Sequence, residues 1–487
     1  MQSVRRNFVY NTAYQLVRVL APLITMPYVS RVLGPSGSGL FSYTQSIAAY
    51  FVLFAILGMS KYGVRAIART KNRAERSQTF WNIYLSQIAV ALVVNAVYLG
   101  YCFTQQDTLR ILSLAWAAYV LAEVIDVSWL FFGAEDFLPT AIVGAALQVI
   151  QVVLIFVLVK SSDDVWLYCT LIASYYFLSQ AALWPFLKKF VDWAKPSWRK
   201  AKQHVLPSLK LFVPVIAISM YSYMDMIILG QLSTMEETGY YQYAYAVSTV
   251  PLSLITALGT VMLPKMSSLY AGDHREEVSR LVRLSLWAML AAAFAFCWGI
   301  VGVAQEFVPV YLGGDYLPAI PTMIALAVLL PVISSSNVLG VQYLLPTMRD
   351  GYYTISLVVG AVINLLISIP LVGRYGALGS AVGTICAEVA VVVIQAILVR
   401  KELPILQLIL DSIPHCVNGA IMAAALRFVV APMLTGILGI SLAELLFELL
   451  IGALIYVCLE IVFFAVTKNS LFKKVVGPYL PFHLLRK

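Results

Sequence analysis

Arg18, Glu123, Asp126, Asp225, Glu388 and Arg427 each lie deep inside a long apolar run. An ionised side chain at bilayer depth is costly, so it usually faces a protein interior or a watery cavity and marks a ligand or ion pathway. Glu123 and Asp126 are three residues apart, which on a helix puts both carboxylates on one face. Arg18 either pairs with them or awaits an anionic ligand. Asp225 closes the stretch Met220-Tyr221-Ser222-Tyr223-Met224-Asp225, a polar patch within an apolar helix. Asn364 and Ser368 are four apart, as are Ser380 and Thr384. With Asp225 they offer one carboxylate and several neutral oxygens, a set that suits a hard monovalent cation such as Na+. Hydroxyls in membrane helices also bond from helix to helix, and the small residues Gly376, Gly379 and Gly383 beside them suit close helix packing. Glu388 joins Glu123 and Asp126 as a cavity charge. The bland alternative for any one of the six is an ion pair that packs two helices.

Other chemistry finds no support. The six cysteines, Cys102, Cys169, Cys297, Cys386, Cys416 and Cys458, are scattered through apolar segments without a C-x-x-C pair, so neither a disulfide frame nor a metal site is expected. The histidines His204, His274, His415 and His483 lack metal-ligand spacing. No nucleophile–base pair emerges and every loop is short, so the chain is not expected to be an enzyme and no cofactor is expected beyond a coupling Na+ or H+. The net charge of +9 sits in loops between apolar runs, which argues against nucleic acid as a partner.

The elements that must hold these charges are membrane helices. Of 487 residues 61% are hydrophobic and 12% charged, far from the roughly 25% charged of soluble domains. Runs of roughly 20 apolar residues span a bilayer as helices. About fourteen occur, near 8–33, 40–62, 78–103, 109–133, 138–160, 165–187, 209–232, 238–264, 284–308, 318–345, 351–371, 376–399, 412–434 and 440–466. Pro22, Pro27 and Pro214 are expected to kink the first and seventh, since proline removes a backbone hydrogen bond. No cleavable leader is expected, because the first apolar run is too long for one. With the N-terminus inside, nearly all the 33 Lys and Arg fall in inner segments, and only Arg31, Arg110, Lys160 and Arg374 in outer ones. Cytoplasmic loops retain positive charge, so both termini are expected in the cytoplasm.

The chain repeats itself. Gly39-Leu40-Phe41-Ser42-Tyr43 returns as Gly239-Tyr240-Tyr241-Gln242-Tyr243, and Leu57-Gly58 as Leu258-Gly259. Six helices bring the chain back to the starting side, so the halves are parallel repeats. The fold class expected is all-α and polytopic. A lobe of six helices covers 1–188, a basic interlobe linker 189–208 and a second lobe 209–400, with two further helices and a basic tail over 401–487. Trp193 and Trp198 among the linker's cations suit an anionic inner leaflet, or a plain solvated linker.

Tyr28-Val29-Ser30-Arg31-Val32-Leu33-Gly34-Pro35 leading to Gly39, then Gly58 and Tyr62-Gly63-Val64-Arg65, resembles the opening of bacterial polysaccharide (Wzx-type) flippases. These belong to the multidrug/oligosaccharidyl-lipid/polysaccharide superfamily. Trp129-Leu130-Phe131-Phe132-Gly133-Ala134-Glu135 is similar to a family segment, with Phe132 where Gln is usual. Gly313-Gly314-Asp315-Tyr316, Asn364 and Tyr375-Gly376-Ala377-Leu378-Gly379 match the second half. The resemblance implies alternating access that turns an undecaprenyl-diphosphate-linked oligosaccharide from the inner to the outer leaflet of a bacterial plasma membrane. Membrane lipids and the polysaccharide polymerase machinery are the implied partners, and a monomer the implied state. A diphosphate crossing hydrocarbon needs cations, and Arg18, Arg31 and Arg65 are the candidates; interfacial snorkelling is the other reading of Arg31 and Arg65. Related lipid II flippases have a sodium site that maps onto Asp225, Asn364, Ser380 and Thr384. Ser368 stands where those relatives can have a second carboxylate, which keeps proton coupling through Asp225 open. A drug/cation antiporter of the same superfamily is the alternative, and a membrane glycosyltransferase or polymerase the third.

Overall fold

The computed structural model describes residues 2–272 and 274–467. Side chains at 2–16, Val19, Val213, Pro214, Ala217, Ile218, Met220, Tyr221, Ser222, Leu258, Thr260 and Val261 are not among those described. The expected kink at Pro214, three members of the polar patch before Asp225 and the basic tail therefore lie outside the description. Among the described residues every regular element is helical. Eight stretches are long and apolar enough to cross a membrane, or nine if Met235–Ala257 and Met262–Ala271, bent by 42°, count as one. Each of the fourteen apolar runs contains helix. The protein is an all-α polytopic membrane protein, and it divides into two compact units, Met1–Gly239 and Tyr240–Lys487.

In the first unit α1 (Gln2–Ile56) folds at Gly34, whose φ of 65° and ψ of −179° leave the helical region. Glycine adopts a positive φ without a Cβ clash, and Pro35 behind it has its φ already set for a first helical turn. The gap expected between the runs ending at 33 and resuming at 40 thus shrinks to one residue. Helix α2 (Met59–Ala68) follows Leu57 and Gly58, both at positive φ. Helix α3 (Arg73–Thr104) starts at Asn72, whose side chain accepts from the Glu75 N–H at 2.9 Å, the usual way to satisfy a first-turn donor.

The run expected as one helix over 109–133 is instead three pieces: α4 (Asp107–Ala115), α5 (Ala117–Ala122) and α6 (Ser128–Gly133). A break in apolar surroundings frees carbonyls that must find donors. Side chains of α3 supply most of them. Asn95 donates to Val120 O at 3.2 Å, Tyr84 to Val124 O at 3.1 Å, and the Gln87 amide to both Glu123 O and Asp126 O at 2.8 Å. Trp184 donates to Ile125 O at 3.0 Å.

Helices α7 (Leu138–Leu158), α8 (Val165–Ala181) and α9 (Trp198–Leu232) follow, and α10 (Met235–Ala271) runs on into the second unit. The irregular chain before α9 is bound along the start of α3. Arg73 grips Asp192 with two bonds of 2.7 Å, Ser77 accepts from the Asp192 N–H, and Asn82 accepts from the Ser197 N–H. Trp193 and Trp198 nevertheless stay 73% and 56% exposed.

In the second unit α11 (Arg275–Phe307) is the central post, packed by α12 (Ile320–Ala327) and α13 (Leu329–Ser336). Its core joins Val282, Leu286 and Leu290 to Leu330, Val338 and Leu344. Helix α14 (Asp350–Val399) folds at Gly376, with φ 52°. Then come α15 (Ile405–Ala425), a π-helical turn (Leu426–Val430), α16 (Ala431–Leu438) and α17 (Leu442–Val466).

Two charged clasps close one end of this unit. Arg283 holds Asp411, and Arg349 bonds Glu402 at 2.7 Å while Tyr343 donates to the other oxygen. The Arg349 guanidinium and the Tyr343 hydroxyl hold the Glu402 carboxyl below the usual carboxylate range. A lowered folded-state value means that the clasp contributes above the unfolded-state value and is lost as pH falls through the folded one. Amide protection at 343–349 and 400–404, taken relative to intrinsic exchange at each pH, should therefore fall under acid, and Glu402→Gln should remove that acid step. Exchange with the same acid step in Glu402→Gln would assign it to another group.

Candidate functional site

In the first unit Arg18 is exposed about midway along the first half of α1, and Arg31 is exposed one residue pair before its fold. The Arg31 guanidinium donates to Pro27 O at 3.0 Å on its own helix. Arg65 is exposed in the last turn of α2. Glu123 and Asp126 are buried, but the common helix face expected for them does not exist. Glu123 caps the end of α5, while Asp126 lies in the link and turns its carboxylate onto the Ser128 N–H at 2.8 Å. The cause is the break itself, which spends the residues between them on a turn.

Asp225 is 1% exposed on α9. Its charge acts on Tyr50 of α1, whose ring meets Tyr223 edge-on at 6.1 Å. Tyr119 of α5 packs on Tyr176 of α8 at 4.5 Å, and the Glu123 charge acts on it. Phenols and two carboxylates therefore line the interior of this unit, a lining able to hold a cation or pass a proton.

The family-like segment around Trp129 has a packing job. Trp129, Leu130 and Phe131 are fully buried. A Cβ on Gly63 would come within 2.5 Å of the Trp129 ring, and one on Gly133 within 2.7 Å of Ile67. The glycines let α6 lie directly on α2, and Gln87 accepts from the Trp129 indole N–H at 2.9 Å. Gly39 and Gly239, the repeated pair, also meet: a Cβ on Gly239 would stand 2.1 Å from Pro35 O.

In the second unit the fold at Gly376 turns α14 back on itself, so the two hydroxyl-bearing pairs face each other. Asn364 donates to Thr384 at 3.4 Å, Thr384 donates to Ser380 O at 3.1 Å, and Tyr241 shares a 2.9 Å bond with Thr384. Ser368 lies against Gly383, where a Cβ would reach within 2.0 Å of its hydroxyl. The Ser368 and Ser380 hydroxyls are buried without a hydrogen-bond partner, oxygens available to a ligand. Glu388 is half-buried one turn beyond, with its charge acting on Tyr353.

Arg427 pairs with Glu306 of α11 at 2.8 Å. That carboxylate, with Glu444, Glu448 and Glu460, was not singled out by depth in an apolar run. The signal is period: Glu444, Glu448, Gly452, Tyr456 and Glu460 recur every fourth residue of α17.

Among known proteins, the family model described as polysaccharide biosynthesis protein matches residues 4–270. A protein of Escherichia coli K12 named "Putative O-antigen transporter" is 24% identical over 406 residues, 82% of this chain and 97% of that protein. A Haloferax volcanii protein named "Probable low-salt glycan biosynthesis flippase Agl15" is 23% identical over 201 residues, 41% of this chain and 42% of that one. The solved lipid II flippase MurJ in an inward closed conformation superposes with a TM-score of 0.73 at 16% identity, over 95% of this chain and 99% of that one. An inward-facing multidrug resistance MATE transporter superposes at 0.56 with 13% identity, over 84% and 99%. These two likenesses bear on the fold.

Proposed function

As a chain that belongs to the polysaccharide biosynthesis protein family, we propose, this protein is a flippase. It carries an undecaprenyl-diphosphate-linked oligosaccharide from the inner to the outer leaflet of a bacterial plasma membrane by alternating access, supplying cell-surface polysaccharide assembly. The observation that carries the reading is the family match over residues 4–270, more than half of the chain, in a protein whose relatives carry transporter and flippase names. Arg18, Arg31 and Arg65 supply the charge that accompanies a diphosphate, and a guanidinium suits that group because its planar fork binds oxyanions with two parallel bonds. Asp225 takes the coupling ion, H+ or Na+. Both termini are cytoplasmic, and the chain works as a monomer beside the polysaccharide polymerase machinery.

The test is reconstitution into liposomes with defined lipid-linked oligosaccharides, following which leaflet exposes the sugar, with and without a pH or Na+ gradient. Proteoliposomes should expose sugar faster than empty vesicles and faster still under the driving gradient. Rates equal to those of empty vesicles for every diphosphate-linked sugar, alongside transport of a cationic drug, would favour the antiporter instead.

A further inference from the structure

The buried face of α17 is its polar one. Glu444, Glu448, Gly452, Tyr456, Glu460 and Phe464 face inward, whereas Leu446, Leu450, Leu454 and Val462 stand exposed. In water this would be inverted; in a bilayer the apolar side is the one that meets solvent. One end of the stripe is bonded throughout. Glu460 accepts from Asn418 at 3.1 Å and lies 2.9 Å from His415 Nδ1, and Tyr456 donates to Ala291 O at 2.7 Å.

The other end is not. Arg427 donates to Glu306 and to Gln305, and Glu444 closes a capping box with Ser441 while accepting from Thr435. Glu448, one turn on, is 0% exposed, and neither of its carboxylate oxygens has a hydrogen-bond partner; Glu306 Oε2 has none either. The charges that act on Glu448 are Glu306 from α11, Glu444 on its own helix and Arg427 from the π-helical turn; Thr435 of α16 is neutral. Three carboxylates thus share one guanidinium. A buried, unbonded carboxylate is so unfavourable that the group neutralises instead. Among the described residues no three acidic, His or Cys side chains stand close enough to hold a metal ion, whereas a proton needs only the one carboxylate.

We propose that Glu448 is a proton-binding site in the last two helices. It takes its proton past Arg427, whose side chain is 37% exposed, and gives it back by the same route. The bound proton removes one of the negative charges in this layer. Its release adds a charge beside Glu306 and Glu444 and weakens the seam between α17 and α11. This goes beyond the transport reading and stands whether or not that reading holds.

Dicyclohexylcarbodiimide reaches carboxyl groups from the lipid and adds the O–H of a protonated acid across one C=N bond; the O-acylisourea formed rearranges by an O-to-N acyl shift to a stable N-acylurea, without oxidant or reductant. The wild-type chain in lipid nanodiscs, treated near neutral pH and mapped by mass spectrometry, should carry the adduct at Glu448 several-fold above Glu306 and Glu444. The adduct should fall as pH is raised. An infrared difference between wild type and Glu448→Gln should lose the carbonyl band of one protonated acid. Labelling at Glu448 no higher than at Glu306 and Glu444 overturns the proposal, as does a difference spectrum that loses carboxylate bands instead. The labelling needs no variant, so it decides even if Glu448→Gln fails to fold.

Discussion

Gln87→Leu should lower the stability of the protein by about 2–6 kcal/mol, from roughly 1–3 kcal/mol for each of three buried polar groups left without a partner, discounted for partial relaxation. The side chain is 2% exposed and makes three bonds: to Glu123 O, to Asp126 O and from the Trp129 indole. Leucine fills the same space and supplies none of them. Two carbonyls of the break between α5 and α6 and one indole N–H would then be stranded in apolar surroundings. Gln87→Glu is the informative companion, since it keeps the acceptor for Trp129 and removes the donors for the carbonyls. Thermal unfolding of the purified protein in detergent should rank wild type above both variants, and protease cutting near 123–128 should rise in each. An unchanged midpoint for Gln87→Leu would mean that the break is held by Tyr84, Asn95 and Trp184 without it.

That break shows where sequence reading runs out. From 109 to 132 the chain offers neither proline nor glycine, so nothing local announces an interruption. Its cause lies in polar side chains of α3, dozens of residues away in sequence, whose donors make the freed carbonyls affordable. Gly34 was legible as a chain break because a residue without Cβ between apolar runs marks a turn, whereas Gly376, expected at the start of a run and in close packing, is itself the break. That Gly376 would set Asn364 against Thr384 was half legible: the four-residue pairs were visible, while their meeting depends on the hairpin. Buried charges were found by depth, which works for Asp225, 1% exposed. Depth misses Glu448, where the informative signal is the recurrence of Glu444, Glu448, Gly452, Tyr456 and Glu460 at every fourth position of a helix whose other side is leucine and valine. The family-like motifs were legible as a pattern, but their physical content, Gly63 beneath Trp129 and Gly133 against Ile67, needs the packing.

Arg18→Ala should slow transport of a diphosphate-linked sugar by about tenfold to a hundredfold and leave membrane insertion intact. Hydrogen bonds to charged groups are worth about 1.5–3 kcal/mol, and each 1.4 kcal/mol is tenfold in an equilibrium or a rate. The guanidinium is exposed on α1, so its removal opens no cavity in a packed core and should barely alter yield or unfolding temperature. Arg18→Lys separates charge from geometry: a compact ammonium keeps the attraction and loses the two-pronged fork, so it should fall between wild type and alanine. Arg31→Ala serves as comparison at a guanidinium that donates to Pro27 O at 3.0 Å. The ordering should hold for substrates that differ in sugar and share the diphosphate, since the contact is with the phosphates. Initial rates of sugar exposure in proteoliposomes, normalised to inserted protein, give the comparison. A folded Arg18→Ala protein transporting at the wild-type rate would remove this residue from the path and leave Arg65, exposed at the end of α2, as the cation to test next.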